Sequence, residues 1–245
     1  GLDLTALITR YLARAVRVAS RQSGGPLTLL GYCIGGVLAT CFAALDAGGE
    51  RLVKNLVLFT TPIDFSDAGL FGGWTAAGVF PIDQLCDTYP VVPSVFPEAG
   101  SRMLSPLATT LGVLVRLRER LDKPGADVTG WQAMYRWVNE GVGFPGAAYR
   151  QWIKEFYQQN RLYRGALRLG DQPVRLADIR VPLLNVVASA DPIAPRSTTK
   201  VILGAVSSAD TQELLVPGGH VGVVVGKAAT TTLWPQVDQW LRAHD

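Results

Sequence analysis

The chain has 245 residues, 48% of them hydrophobic, and a formal net charge of +3. That is enough apolar sequence for one sizeable core or a core with a cap, and too little clustered positive charge for a nucleic-acid track, since Arg116, Arg118 and Arg120 read as a solvated helix face. Its three cysteines, Cys33, Cys41 and Cys86, show no CxxC or Cys/His metal spacing, which argues against a disulfide framework or a zinc site and suits a reducing cytoplasm.

In chain order, the opening residues GLDLTALITR lack the basic-then-apolar pattern of a signal peptide. No uncharged apolar run reaches the roughly 18 to 20 residues that a membrane span needs. Leu4, Leu7, Ile8, Tyr11, Leu12, Ala15, Val16 and Ala19 recur at helical intervals and predict one amphipathic helix over residues 3–20, packed on a sheet. Gly24, Gly25 and Pro26 end it. The apolar run Leu27 to Leu30 then passes through Gly31-Tyr32-Cys33-Ile34-Gly35-Gly36 into a helix of small residues, a strand, sharp turn and helix with a thiol at the tip. Such an apex is forced toward positive φ and crowds the residues two before and two after it, a demand that Gly31 and Gly35 would meet. Cys33 would open the following helix, where free N–H groups and the helix dipole favour a thiolate, and the N–H of Ile34 could hold an oxyanion.

After Gly48-Gly49, residues 52–60 predict a second, buried parallel strand closed by Pro62, with Asp64 just beyond its end. Residues 65–170 differ in character. Glycines and prolines are scattered, helical patterns such as 103–120 appear, and Tyr149, Trp152, Ile153, Phe156 and Tyr157 recur at helical spacing. Most of the aromatics fall here, so an inserted cap with its own apolar cluster is expected, with 1–64 and 171–245 forming the core. Strand logic returns at 181–188, ahead of Asp191, and a helix is expected over 197–206. A fourth strand at 211–216 precedes His220, and a last helix is expected from about Ala228 to Arg242.

Nucleophile, acid and histidine in this chain order, each after a predicted strand, match the α/β-hydrolase pattern. Only two histidines are present, and His244 sits in a tail expected to be solvated, so His220 is the candidate base. Asp191 is the candidate acid with Asp64 as its rival, while Cys41 and Cys86 read as packing residues.

GYCIGG, FTTPIDFSDAGLF, AYRQWIKEFYQQNRLYRGALRLGD, the strand into DPIAP, and GGHVGVVVG together resemble the catalytic subunit of the polyhydroxyalkanoate synthases, over most of the chain. The resemblance implies an α/β-hydrolase fold, a mostly parallel sheet with an inserted helical cap, and a Cys33, His220 and Asp191 triad. It implies polymerisation of 3-hydroxyacyl-CoA thioesters onto a growing polyester at the surface of cytoplasmic storage granules. No cofactor is implied beyond the CoA thioester substrate, and the implied partners are a second copy or a second synthase subunit. GHVG and YRQWIKEFYQQN are closest to the short, two-subunit classes. Pro192 departs from the polar or charged residue that more often follows the acid.

Two other readings use the same residues: a thioester or ester hydrolase with water as acceptor, and a non-catalytic partner that binds a granule or another subunit. The family also carries strands before the elbow, and a loop among them supplies a second oxyanion donor. Only about 30 residues precede Cys33 here, and the first is Gly1 and not Met. The expectation is therefore an excised piece without its N-terminal strands, its elbow strand an uncovered edge, its solubility poor and its activity low.

Overall fold

A computed structural model of the chain describes residues 1–104, 111–125, 127–226 and 229–245. Its N-terminal helix runs from Leu4 to Ser23 and starts where the Asp3 carboxylate accepts the N–H of Ala6 at 2.7 Å. It stops at Gly24, whose φ of 79° is the left-handed conformation that glycine enters without strain. Between Leu7 and Leu12 the helix is π-wound, which inserts one residue into the register. The buried positions accordingly run Leu4, Ile8, Ala13, Val16, Ser20, and Tyr11 and Ala15, expected on the buried stripe, face outward.

Strands β1 (Leu27–Tyr32) and β2 (Val53–Phe59) flank the elbow helix Ile34–Asp46. A long excursion follows, containing the two-residue pairs β3 (Val91–Val92) with β4 (Phe144–Pro145) and β5 (Arg168–Leu169) with β6 (Gln172–Pro173). The chain returns as β7 (Leu183–Ala188) and β8 (Thr211–Val216). The main sheet has the order β1-β2-β7-β8 with every pairing parallel, so all four strands end on the same edge.

Strand alternation sends Leu56, Leu58 and Leu183 to one face, against the N-terminal and elbow helices. Val57, Phe59, Leu184, Val186 and Ala188 face the other side, where the C-terminal helix supplies Leu233, Val237 and Trp240. Burial on both faces is why β2 and β7 read as unbroken apolar runs. β1 lies at one edge of the sheet, and Leu30 on it is half-exposed.

The aromatic helix expected around Tyr149 to Tyr157 forms as Gly146–Gln151 continued by a π-wound turn, Trp152–Gln158. It does not build a separate cluster. Phe65, Trp152, Ile153 and Phe156 share one buried cluster with Leu4, Ile8 and Val37, and Gln151 Oε1 accepts the N–H of Leu4 at 2.9 Å. A side chain from the excursion thus caps the first turn of the N-terminal helix. The helices Val95–Met103, Leu111–Leu121 and Thr129–Asn139 bury none of their described residues. Of the helix expected over 103–120, residues 105–110 lie outside the described residues, as does the Ala228 start of the last helix, which is described from Ala229 to Ala243. The helix expected over 197–206 forms as two short pieces, Arg196–Thr199 and Ile202–Ala205.

Candidate active site

Cys33 leaves β1 with φ 54° and ψ −124° and caps the elbow helix. Its N–H donates to Phe59 O at 2.9 Å, while its carbonyl accepts from Gly36 at 2.9 Å and Val37 at 3.3 Å. Ile34 N–H, at the first position of the elbow helix, has no backbone partner among the described residues, as the first N–H groups of a helix lack an intrahelical acceptor. The crowding of the turn falls on Gly31 and Gly36. A Cβ on Gly31 would run into the backbone of Gly36, and one on Gly36 into the side chain of Thr61. Gly35, expected to be the second crowded position, has open space around it, because the helix turns its Cβ direction outward.

Asp191 and His220 follow β7 and β8. Two backbone bonds hold their loops together, Ser189 N–H to Val216 O and Ala190 N–H to Gly218 O, each 2.9 Å. Asp191 Oδ2 lies 2.7 Å from His220 Nδ1, with the carboxylate side chain fully buried and the imidazole nearly so. The other oxygen, Oδ1, accepts from the N–H groups of Ile193 at 2.8 Å and Ala194 at 2.9 Å. A carboxylate only accepts, so Nδ1 carries a proton in either state of the ring, and Nε2 is the nitrogen whose proton comes and goes. Burial alone would pull the His220 pKa down, but hydrogen bonds to Asp191 and to the Cys33 sulfur, with their charges, raise it to about 9. Asp191 and His220 are thereby paired, with Cys33 close enough to act on the ring.

Asp64 lies apart from His220. Its Oδ1 accepts from Ser66 N–H at 2.9 Å and from Asn160 Nδ2 at 2.7 Å. Burial opposes ionisation there, yet these bonds and the charge of Arg164 hold the carboxyl below its usual range. Asn160 Oδ1 in turn accepts Phe65 N–H at 3.1 Å, so Asp64 and Asn160 pin the loop after β2 to the end of the π-wound turn. Cys41 is fully buried, which pushes its thiol up to about 12, and Cys86 is buried as well.

Tyr32 was not singled out in the sequence. Its hydroxyl donates to the His220 carbonyl at 3.2 Å and its ring lies 5.1 Å from the imidazole. The available signal was its place beside the cysteine inside GYCIGG. Burial, followed by the charges of Cys33 and Asp191, raises its pKa, so the phenol stays protonated.

A protein from Allochromatium vinosum described as "Poly(3-hydroxyalkanoate) polymerase subunit PhaC" is 33% identical over 243 residues, covering 98% of this chain and 67% of its own. The chain belongs to the poly(3-hydroxyalkanoate) polymerase PhaC family. A PhaC from Haloferax mediterranei is 30% identical over 241 residues, which are 98% of this chain and 48% of that one. This PhaC-family chain thus spans about half to two thirds of the length of such relatives. No family model matches it.

Among solved structures, a carboxyl esterase from Bacillus coagulans has TM-score 0.58 at 11% identity, covering 99% of this chain and 73% of its own. A monoacylglycerol lipase from Paleococcus ferrophilus has TM-score 0.56 at 11% identity, covering 100% and 77%. Likeness at that identity is one of fold, and the fold is that of the α/β-hydrolases, here a parallel sheet with helices on both faces. Among the described residues no helix is long and apolar enough to cross a membrane.

Proposed function

We propose that this PhaC-family chain carries the acyl-transfer centre of a poly(3-hydroxyalkanoate) polymerase, with Cys33 as nucleophile, His220 as base and Asp191 as the group that orients His220. The supporting observation is the buried Asp191–His220 pair at 2.7 Å, with a cysteine held at φ 54° close enough to raise the His220 pKa. His220 Nε2 takes the proton of Cys33 Sγ, and the thiolate attacks the carbonyl carbon of a 3-hydroxyacyl-CoA. The oxyanion is held at the N–H of Ile34. The intermediate collapses with loss of CoA thiolate, which recovers the proton from His220, and the acyl group remains on sulfur.

In the second half, the hydroxyl of another acyl unit attacks that thioester, its proton passes to His220, and the new ester leaves as the sulfur is released. Both oxygens of Asp191 are already engaged, one with His220 and one with two backbone N–H groups. That favours His220 over Asp191 as the base for the hydroxyl. The reaction so written draws on no cofactor beyond the CoA thioester.

Residues 65–170 act as the cap over this centre, with 1–64 and 171–245 as the core. The chain works at the surface of a cytoplasmic polyester granule, as a homodimer or with a second subunit. Leu114 and Trp137, both more than half exposed on otherwise unburied helices of the cap, suit contact with an apolar polymer.

Incubation with 3-hydroxybutyryl-CoA, peptide mass analysis and product separation test the reading. The expected result is an acyl adduct on Cys33 and polyester as product. Free 3-hydroxy acid would make the chain a thioesterase, and label on Cys86 with Cys33 free would overturn the assignment.

A further inference from the structure

Tyr157 belongs to the π-wound turn Trp152–Gln158, and a π-turn rotates one residue out of the ordinary helical register. Its ring is enclosed by Phe65, with centroids 4.8 Å apart, by Trp152 at 5.7 Å and by Phe71 at 6.0 Å. Phe65 lies on the segment that leaves the C-terminal end of β2, the strand beside that of Cys33, so this cage is built on the chain leaving the edge of the sheet that carries the thiol. Burial chiefly, and then the charge of a nearby Cys33 thiolate, raise the pKa of the phenol, which keeps its proton and can donate it. Among the described residues nothing is hydrogen-bonded to that hydroxyl.

An aromatic enclosure with a single unused donor, beside a nucleophile, matches an acyl chain that carries a single hydroxyl. We propose that the Tyr157 hydroxyl donates a hydrogen bond to the 3-hydroxyl oxygen of the acyl group being loaded onto Cys33, and so selects 3-hydroxyacyl thioesters over unsubstituted ones. The inference rests on the acyl-transfer reading above and adds the residue that would recognise the substituent. Tyr157 is partly buried, and an unsubstituted chain seated against it would take its hydroxyl out of water with no partner, which is the condition under which a polar site rejects an isostere.

The test compares Cys33 acylation rates, by mass analysis of the intact protein, for 3-hydroxybutyryl-CoA and butyryl-CoA in the unaltered protein and in Tyr157→Phe. Phenylalanine keeps the ring contacts and removes only the hydroxyl. The expected result is a preference for the hydroxylated thioester in the unaltered protein that falls about tenfold in the variant, with the butyryl rate unchanged or raised. An unchanged preference, or an equal loss with both thioesters, overturns the inference and leaves the acyl-transfer reading standing. Absence of acyl adduct on Cys33 of the unaltered protein with either thioester overturns both.

Discussion

Asp191→Asn isolates what the buried carboxylate does. In the unaltered protein Oδ1 accepts two backbone N–H groups while Oδ2 faces His220 Nδ1. Asparagine has one acceptor and one donor group, so it can satisfy only one side. With its oxygen toward Ile193 and Ala194, the amide NH₂ meets His220 Nδ1 and drives the ring proton to Nε2, the nitrogen that must accept from Cys33. With the amide reversed, donor faces donor in the loop, at a site whose side chain has no exposure.

The rise of the His220 pKa from 6.5 to about 9 corresponds to about 3 kcal/mol of preference for the imidazolium. The hydrogen bond to Asp191 is the largest contribution favouring the charged ring, against a burial cost that remains when the Asp191 charge is removed. The imidazolium's contribution to folding is fully present below pH 6.5 and is lost as pH rises through about 9. The pH-dependent stability difference between unaltered protein and variant should therefore be largest in mild acid and shrink through that window. A tautomer error of this kind costs about 10⁴-fold in a Ser-His-Asp enzyme, and a loss of about 10³- to 10⁴-fold is expected here. Rapid-quench measurement of Cys33 acylation reads the rate, and NMR titration reads the ring, with only two histidines to resolve. Acylation within a few-fold of the unaltered protein, or a His220 pKa still near 9, would refute the reasoning.

Asp64→Ala should leave acylation within a few-fold while lowering stability by about 1 to 2 kcal/mol in denaturant titration, because it removes the bonds to Ser66 and Asn160 and touches nothing on His220. Gly36→Ala should destabilise by about 1 to 3 kcal/mol through collision with Thr61. Gly35→Ala, in open space within the same helix, should be neutral or stabilising by up to about 1 kcal/mol, and equal losses at the two positions would contradict the packing described. His244 lies 2.7 Å from the Trp240 carbonyl and 2.8 Å from Asp210, and these contacts raise its pKa. Its contribution is present below 6.5 and fades as pH rises through the raised value, so the thermal midpoints of His244→Ala and the unaltered protein should differ in mild acid and converge at alkaline pH.

Strands β2 and β7 were legible because each is a short apolar run with a proline a few residues beyond it, and a parallel strand buried on both faces reads that way. The elbow was legible because Cys33 sits between glycines at the spacing that the turn demands. Which glycine mattered was not. A sequence spacing cannot say whether Gly35 or Gly36 points at Thr61, since that depends on how the loop after β2 returns beneath the elbow. The outer face of the N-terminal helix was misjudged for a similar reason: one π-turn at 7–12 moves every later residue, and helical periodicity assumes an unbroken register. His244 was expected in solvent as the penultimate residue. Its ring instead stacks on Trp240 with centroids 4.0 Å apart, a contact set by where the last helix docks.

The strain at Cys33 is not borne by the elbow alone. Thr60, at the end of the neighbouring strand, also has a positive φ, 42°, and a non-glycine residue in that region costs about 1 to 3 kcal/mol. The two are linked through Phe59, whose carbonyl accepts the N–H of Cys33 while Thr60 N–H is held by Val186 O at 2.8 Å. Thr61 then fills the space that the absent side chain of Gly36 leaves, and its hydroxyl returns to Phe59 O at 3.1 Å. Each distortion is thus over-determined by a partner on the adjacent strand. The loop that carries Asp64 and Phe65 departs from the same point, so the segment that presents the thiol and the segment that carries Phe65 are fixed by one set of contacts at the ends of β1, β2 and β7.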